Sequence, residues 1–301
     1  MRSPWRLAAL LVVLAAVTVV GAEALRRARR DAATGRAPVV LPAVPATRAA
    51  RADPAGTTIA TRFAPPDGAT RTPAPPGSFA AWLRALPLRP HGAPVRLFDG
   101  RLKARQDAHA AVVARDPGAR DLQQCADAAM RLRAEFLHAA GRADEIAFHF
   151  VSGFRCDFAT WATGRRVAVR GNDATWVAGG AADASEAALA RYLDVVYAYA
   201  GTASLPRDVE EVPSGAPAPG DVYLKPGSPG HAMIVVDAAT RGATTFVLLA
   251  QSYMPAQELH VVRNPAGGAD DPWYAVGEGP ALATPEWRFP WSALRRFRGA
   301  P

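Results

Sequence analysis

The chain has 301 residues, half of them hydrophobic, with 27 prolines, 25 glycines and two cysteines. That length buries one large core or two small ones, and so much Pro and Gly argues against a chain built from long helices. The net charge of +8 is local: residues 1–62 hold ten arginines against three acidic residues, leaving only +1 for the other 239, so the composition gives no basic folded face for nucleic acid.

The N-terminus, "MRSPWRLAALLVVLAAVTVVGAEALRRARR", places two arginines before sixteen uncharged, mostly apolar residues, Leu7 to Ala22. Small residues follow at positions compatible with cleavage, the layout of an export signal. An uncleaved anchor is the alternative, although sixteen helical residues span about 24 Å against the roughly 30 Å of a hydrocarbon core. Both readings expect residues 1–25 to act as signal or membrane anchor and the folded part to be periplasmic or secreted. Residues 26–56, rich in Ala, Pro and Arg and without period, read as a linker. The fold is expected to run from 57 to 301 as a single domain.

Within it, Ser78 is placed to cap a short helix that ends at Pro87. A strand and a turn at Asp99-Gly100 follow. "RDLQQCADAAMRLRAEFLHAAGR" is the clearest helix: Asp121 and Gln124 have capping-box spacing, and Gly141 stops it. Cys125, Ala129, Leu132 and Phe136 share one face. "IAFHFVSG" alternates as a strand. A second helix follows Ser185 and packs Leu189, Leu193, Val196 and Tyr197. Strands are expected at Asp221–Leu224, His231–Asp237 and Phe246–Gln251. Helices preceding a cluster of antiparallel strands make an α+β fold.

Several chemistries lack their residues. There is no His-Glu-x-x-His helix, paired CxxC, P-loop or Gly-x-Ser-x-Gly turn, and the six histidines are dispersed. No metal and no cofactor is expected. What remains is a cysteine near a helix N-terminus, a histidine opening a later strand and a polar residue on the next. A helix N-terminus and a neighbouring imidazolium both lower a thiol pKa, and free backbone N–H groups there suit an oxyanion. The competing reading for Cys125 is burial, or a disulfide with Cys156 closing a loop of about thirty residues. Pairing Asp237 with Thr245 sets His231 opposite Gln251, about 5 Å away, where the amide fixes the imidazole tautomer as a third triad member does.

"PGDVYLKPGSPGHAMIVVDAATRGATTFVLLAQS" resembles the core of the papain-like cell-wall enzymes called NlpC/P60 and CHAP. That likeness implies a papain-like (NlpC/P60-like) fold, with an N-terminal helix carrying the cysteine and an antiparallel sheet carrying the histidine. It implies Cys125 as nucleophile, His231 as base and Gln251 as orienting residue. It also implies an insertion around 140–215, because 106 positions separate Cys125 from His231. Gln124, Asp127, Ser252 and Tyr253, which flank these positions, are the expected binding residues. From Thr57 to Phe297 the chain also resembles the bacterial family known as domain of unknown function 4846, on "LQQCADAAMRLRAE", "YAGTASL", "GHAMIVVD" and "LLAQSYMPAQELHVV". The expected function is an exported cysteine hydrolase or amidase acting on a peptide or peptidoglycan fragment. The rival is a non-catalytic cell-envelope binding protein whose cleft is lined by Trp161, Trp176, Tyr253, Trp273 and Trp287.

Overall fold

The computed structural model describes residues 52–212, 216–268 and 271–299. The expected signal or anchor, and the linker up to residue 51, lie outside the described residues. The rest of the expected linker is tied to the fold: the Asp53 N–H donates to Arg62 O, and Arg62 Nε donates to Gly56 O at 2.8 Å.

Five α-helices and fifteen strands follow among the described residues. The helices are α1 (Ile59–Arg62), α2 (Phe79–Arg84), α3 (Cys125–Ala139), α4 (Phe158–Ala162) and α5 (Glu186–Tyr199). The first seven strands are β1 (Thr70–Arg71), β2 (His109–Val112), β3 (Ala147–His149), β4 (Arg155–Asp157), β5 (Arg165–Arg170), β6 (Asp173–Ala178) and β7 (Val209–Glu211). The remaining eight are β8 (Val222–Lys225), β9 (His231–Arg241), β10 (Thr244–Gln251), β11 (His260–Val262), β12 (Tyr274–Ala275), β13 (Leu282–Ala283), β14 (Arg288–Phe289) and β15 (Leu294–Phe297). The fold is α+β. One antiparallel sheet runs in the order β2-β11-β10-β9-β8-β15-β7, with β1 added to β9 and β12 to β10. Three two-stranded pairs, β3–β4, β5–β6 and β13–β14, stand outside it.

Residues of β9 and β10 are apolar on both faces, as a strand covered on two sides must be. Ala232, Ile234, Leu248 and Ala250 join the larger core, with Met130, Leu132 and Phe136 of α3. Met233, Val235, Val247 and Leu249 join a smaller core beneath Tyr223, Phe289 and Leu294. Each buried Val, Leu, Ile, Met or Phe side chain contributes about 1.5–3 kcal/mol.

The local signals around the helices largely match their caps. Ser78 Oγ accepts the Ala81 N–H and Ser185 Oγ the Ala188 N–H, both at 3.2 Å. At α3 the cap differs from expectation. The helix begins at Cys125, and the Asp127 carboxylate accepts the Gln124 N–H at 2.9 Å. Asp121 instead uses its carboxylate to take the Ala256 N–H at 2.6 Å and the Gln124 side chain at 3.2 Å. The Asp-x-x-Gln spacing thus joins two segments rather than capping the helix.

The β9–β10 register also differs. Thr245 pairs with Thr240, three positions from the expected Asp237. Three is an odd slip, which alone would turn His231 and Gln251 to opposite faces. A bulge corrects the parity: Leu248 faces Asp237 and Leu249 faces Val235, so Val236 is the extra residue. Beyond it, Gln251 falls on the face of Val235, Met233 and His231.

Candidate active site

Gly230 ends the β8–β9 turn, and a Cβ there would lie 2.3 Å from both Gly227 O and Thr202 Oγ1. Only glycine permits that approach, which delivers His231 as the first residue of β9. Its ring lies between Tyr253 and Trp287, at centroid distances of 4.9 and 5.0 Å, and above Phe289 at 6.0 Å. His231 Nε2 is 2.7 Å from Gln251 Oε1. Burial pushes the imidazole pKa down to about 4, against the pull of the Gln251 bond.

Cys125 is the first residue of α3, and the backbone of Ala232, the neighbour of His231, acts to lower its thiol pKa. The helix start is fixed from below by Ser252, whose Oγ lies 3.1 Å from Gln123 O and 2.8 Å from Gln257 O. Cys125 and Cys156 are both free and both buried, so no disulfide joins them. Burial, then the Asp127 charge, push the Cys125 thiol up to about 11. Desolvation therefore outweighs the helix N-terminus, the reverse of the sequence expectation.

Cys125, His231, Gln124, Asp127, Tyr253 and Trp287 line one cleft of ≈ 610 Å³. Gln251 and Ser252 are buried behind it. Asp127 is 5% exposed, and burial raises its carboxyl to about 7. One of its oxygens, Oδ1, has no hydrogen-bond partner. Of the aromatic residues considered for a binding cleft, only Tyr253 and Trp287 are there. Trp161 and Trp273 are core residues, and Trp176 packs against that core from the β5–β6 hairpin.

Three contributors escaped the sequence reading. Gln251 Nε2 lies 2.8 Å from Glu286 Oε2 and 3.2 Å from His260 Nε2. Lys103 Nζ lies 2.7 Å from both Glu286 oxygens. Lys103 and Glu286 sit in no quoted motif, His260 falls inside "LLAQSYMPAQELHVV" without a role assigned to it there, and the three come from separate segments of the chain. One faint signal existed: Lys103 is one of only two lysines in an arginine-rich chain.

The chain belongs to the family described as domain of unknown function (4846). The family model matches residues 59–296, which takes in every residue of the cleft. No curated protein and no solved structure matches the chain. In this family member, His109, His138 and His149 bond Ala93 O, Ala184 O and Asp208, away from the cleft. Among the described residues no group of three or more His, Cys, Asp or Glu side chains could hold a metal ion. Among them, too, no helix is long and apolar enough to cross a membrane; the N-terminal apolar segment lies outside that set.

Proposed function

We propose that the protein is a cysteine hydrolase or amidase of papain-like arrangement that cleaves an amide bond in a peptide or peptidoglycan fragment. The observation that carries this reading is the His231–Gln251 hydrogen bond behind a cleft that also holds a free cysteine at a helix N-terminus. With its Nε2 proton on Gln251, the ring keeps a lone pair on Nδ1 for a general base. The Cys125 thiol gives its proton to Nδ1 as sulfur attacks the carbonyl carbon. Backbone N–H groups at the start of α3 stabilise the oxyanion. The imidazolium then returns the proton to the leaving amine, and an acyl-thioester remains on Cys125. Water, deprotonated by His231, attacks that ester and releases the acid and the thiol. The N-terminal apolar segment supports an exported protein acting on cell-envelope material.

The test is turnover of a panel of peptide and muropeptide amides, with mass spectrometry of the enzyme during reaction. The reading expects an acyl adduct on Cys125, and no turnover by Cys125→Ala or His231→Ala proteins that keep the wild-type circular dichroism. Equal turnover by either variant would remove it.

A second reading, a non-catalytic envelope binding protein on the same scaffold, is favoured by the resting state of the pair. Both partners are held neutral, and Cys125 is only 8% exposed. It predicts ligand retention by the Cys125→Ala protein with no adduct on the wild type.

A further inference from the structure

We propose that Lys103 and Glu286 are positioning residues for His231: acting through the Gln251 amide, they dictate which imidazole nitrogen carries the proton.

A glutamine amide has one oxygen that accepts and one nitrogen with two hydrogens to donate. Both hydrogens of Gln251 are committed. One goes to Glu286 Oε2 at 2.8 Å. The other goes to His260 Nε2 at 3.2 Å, which is an acceptor for a definite reason. His260 Nδ1 lies 2.9 Å from the Glu258 carbonyl and must donate to it. Burial holds that ring neutral, with its pKa near 3, so Nε2 keeps a lone pair. A reversed Gln251 amide would set its oxygen against a carboxylate oxygen and an imidazole lone pair. The oxygen therefore faces His231, 2.7 Å from Nε2. A neutral ring has one proton, and this contact takes it to Nε2, leaving Nδ1 bare.

Lys103 acts one link earlier. It is 6% exposed and meets both Glu286 oxygens at 2.7 Å, so Glu286 is kept as an acceptor. The hairpin turn between β13 and β14 holds Glu286 in place: the Trp287 N–H donates to Thr284 Oγ1 at 3.0 Å and the Thr284 N–H to Trp287 O at 2.9 Å. Lys103 also touches a ring packed on the imidazole. Its Nζ lies 5.1 Å from the centroid of Tyr253, the ring packed on His231.

The importance for catalysis rests on the hydrolase reading, but the tautomer does not, so it is measured without substrate. The ¹⁵N-labelled full chain is studied near neutral pH by long-range imidazole ¹H–¹⁵N correlation, which separates protonated from bare ring nitrogens. The His231 signals are assigned by their loss in His231→Ala. The wild type is expected to show the Nε2–H form. Glu286→Leu, which removes one of the two acceptors that hold the amide, and Glu286→Gln, whose own amide pairs either way, are expected to shift the ring toward Nδ1–H. Glu286→Asp is expected to retain the wild-type form. Should the leucine variant not fold, the glutamine variant decides. An unchanged Nε2–H form in a folded Glu286→Leu or Glu286→Gln protein overturns the proposal, as does an Nδ1–H form in the wild type. In a turnover assay Glu286→Leu and Glu286→Gln are expected to lose kcat roughly 100-fold, with KM changed less than about twofold. A wild type without turnover would defeat the hydrolase reading and leave the tautomer result standing.

Discussion

His231 and Gln251 are diagonal neighbours, not directly facing residues, on one face of the β9–β10 ladder. Their side chains meet at 2.7 Å because the Val236 bulge restores the parity that the turn register breaks. Burial, against the pull of this contact, keeps the ring neutral at rest. Cys125, close by in the same cleft, is held as a thiol.

Alkylation should therefore be slow in the resting protein. With Cys125 pushed up to about 11, the thiolate fraction grows about tenfold per pH unit from neutrality toward that value. Iodoacetamide labelling of Cys125 is expected to follow that rise, with no plateau between about pH 5 and 8. A rate already flat near pH 6 would show a thiolate–imidazolium pair at rest. Mass spectrometry of the labelled peptide distinguishes Cys125 from Cys156.

Stability should depend on pH through three buried groups. His231 and His260 have folded pKa values lowered to about 4 and 3. The unfolded chain thus binds more protons than the folded one below about pH 6.5, and stability falls as pH drops through that range. Asp127, raised to about 7, acts in the opposite sense. The folded state keeps its proton while the unfolded state loses it, so stability falls as pH rises from about 4 to 7. Urea unfolding across this range should show Asp127→Asn gaining on the wild type with increasing pH, by up to about 4 kcal/mol. His260→Gln should flatten the acid side. Parallel curves for wild type and Asp127→Asn would contradict the assignment.

Asp237 should be among the most costly surface-to-sheet ties to cut. Its side chain is fully buried and receives Arg71 Nε at 2.7 Å and Arg84 Nε at 2.5 Å. Those arginines come from β1 and α2, so one carboxylate fastens the first segment of the domain to β9. Asp237→Ala leaves two guanidiniums without their shared partner and is expected to cost about 3–5 kcal/mol. Arg71→Met, at a side chain 26% exposed, should cost less. Denaturant midpoints at constant m-value measure both.

Much of this protein was legible in the sequence because the deciding forces are local. Ser78 and Ser185 cap helices through their own neighbours, and the period of "CADAAMRLRAEF" marks a helix, although the structure buries it on more than the one expected face. These fixed the α+β class, the two main helices and the central strands, whereas the His231–Gln251 pairing was expected from a register that the structure does not keep. Other features depended on segments far apart in the chain. The capping partner of α3 moved from Asp121 to Asp127 because Asp121 serves a loop 135 positions away. The thiol went up rather than down because burial, set by what packs around it, exceeded the dipole of its own helix. The bulge at Val236 arose from matching apolar faces across two strands, which no single strand encodes. Lys103, Glu286 and His260 joined the site because the sheet order brings the ends of β10 and β11, the loop before β2 and the β13–β14 turn to one place. Local periodicity carries no record of such a meeting; only the folded chain, by removing those groups from water together, requires them to satisfy one another.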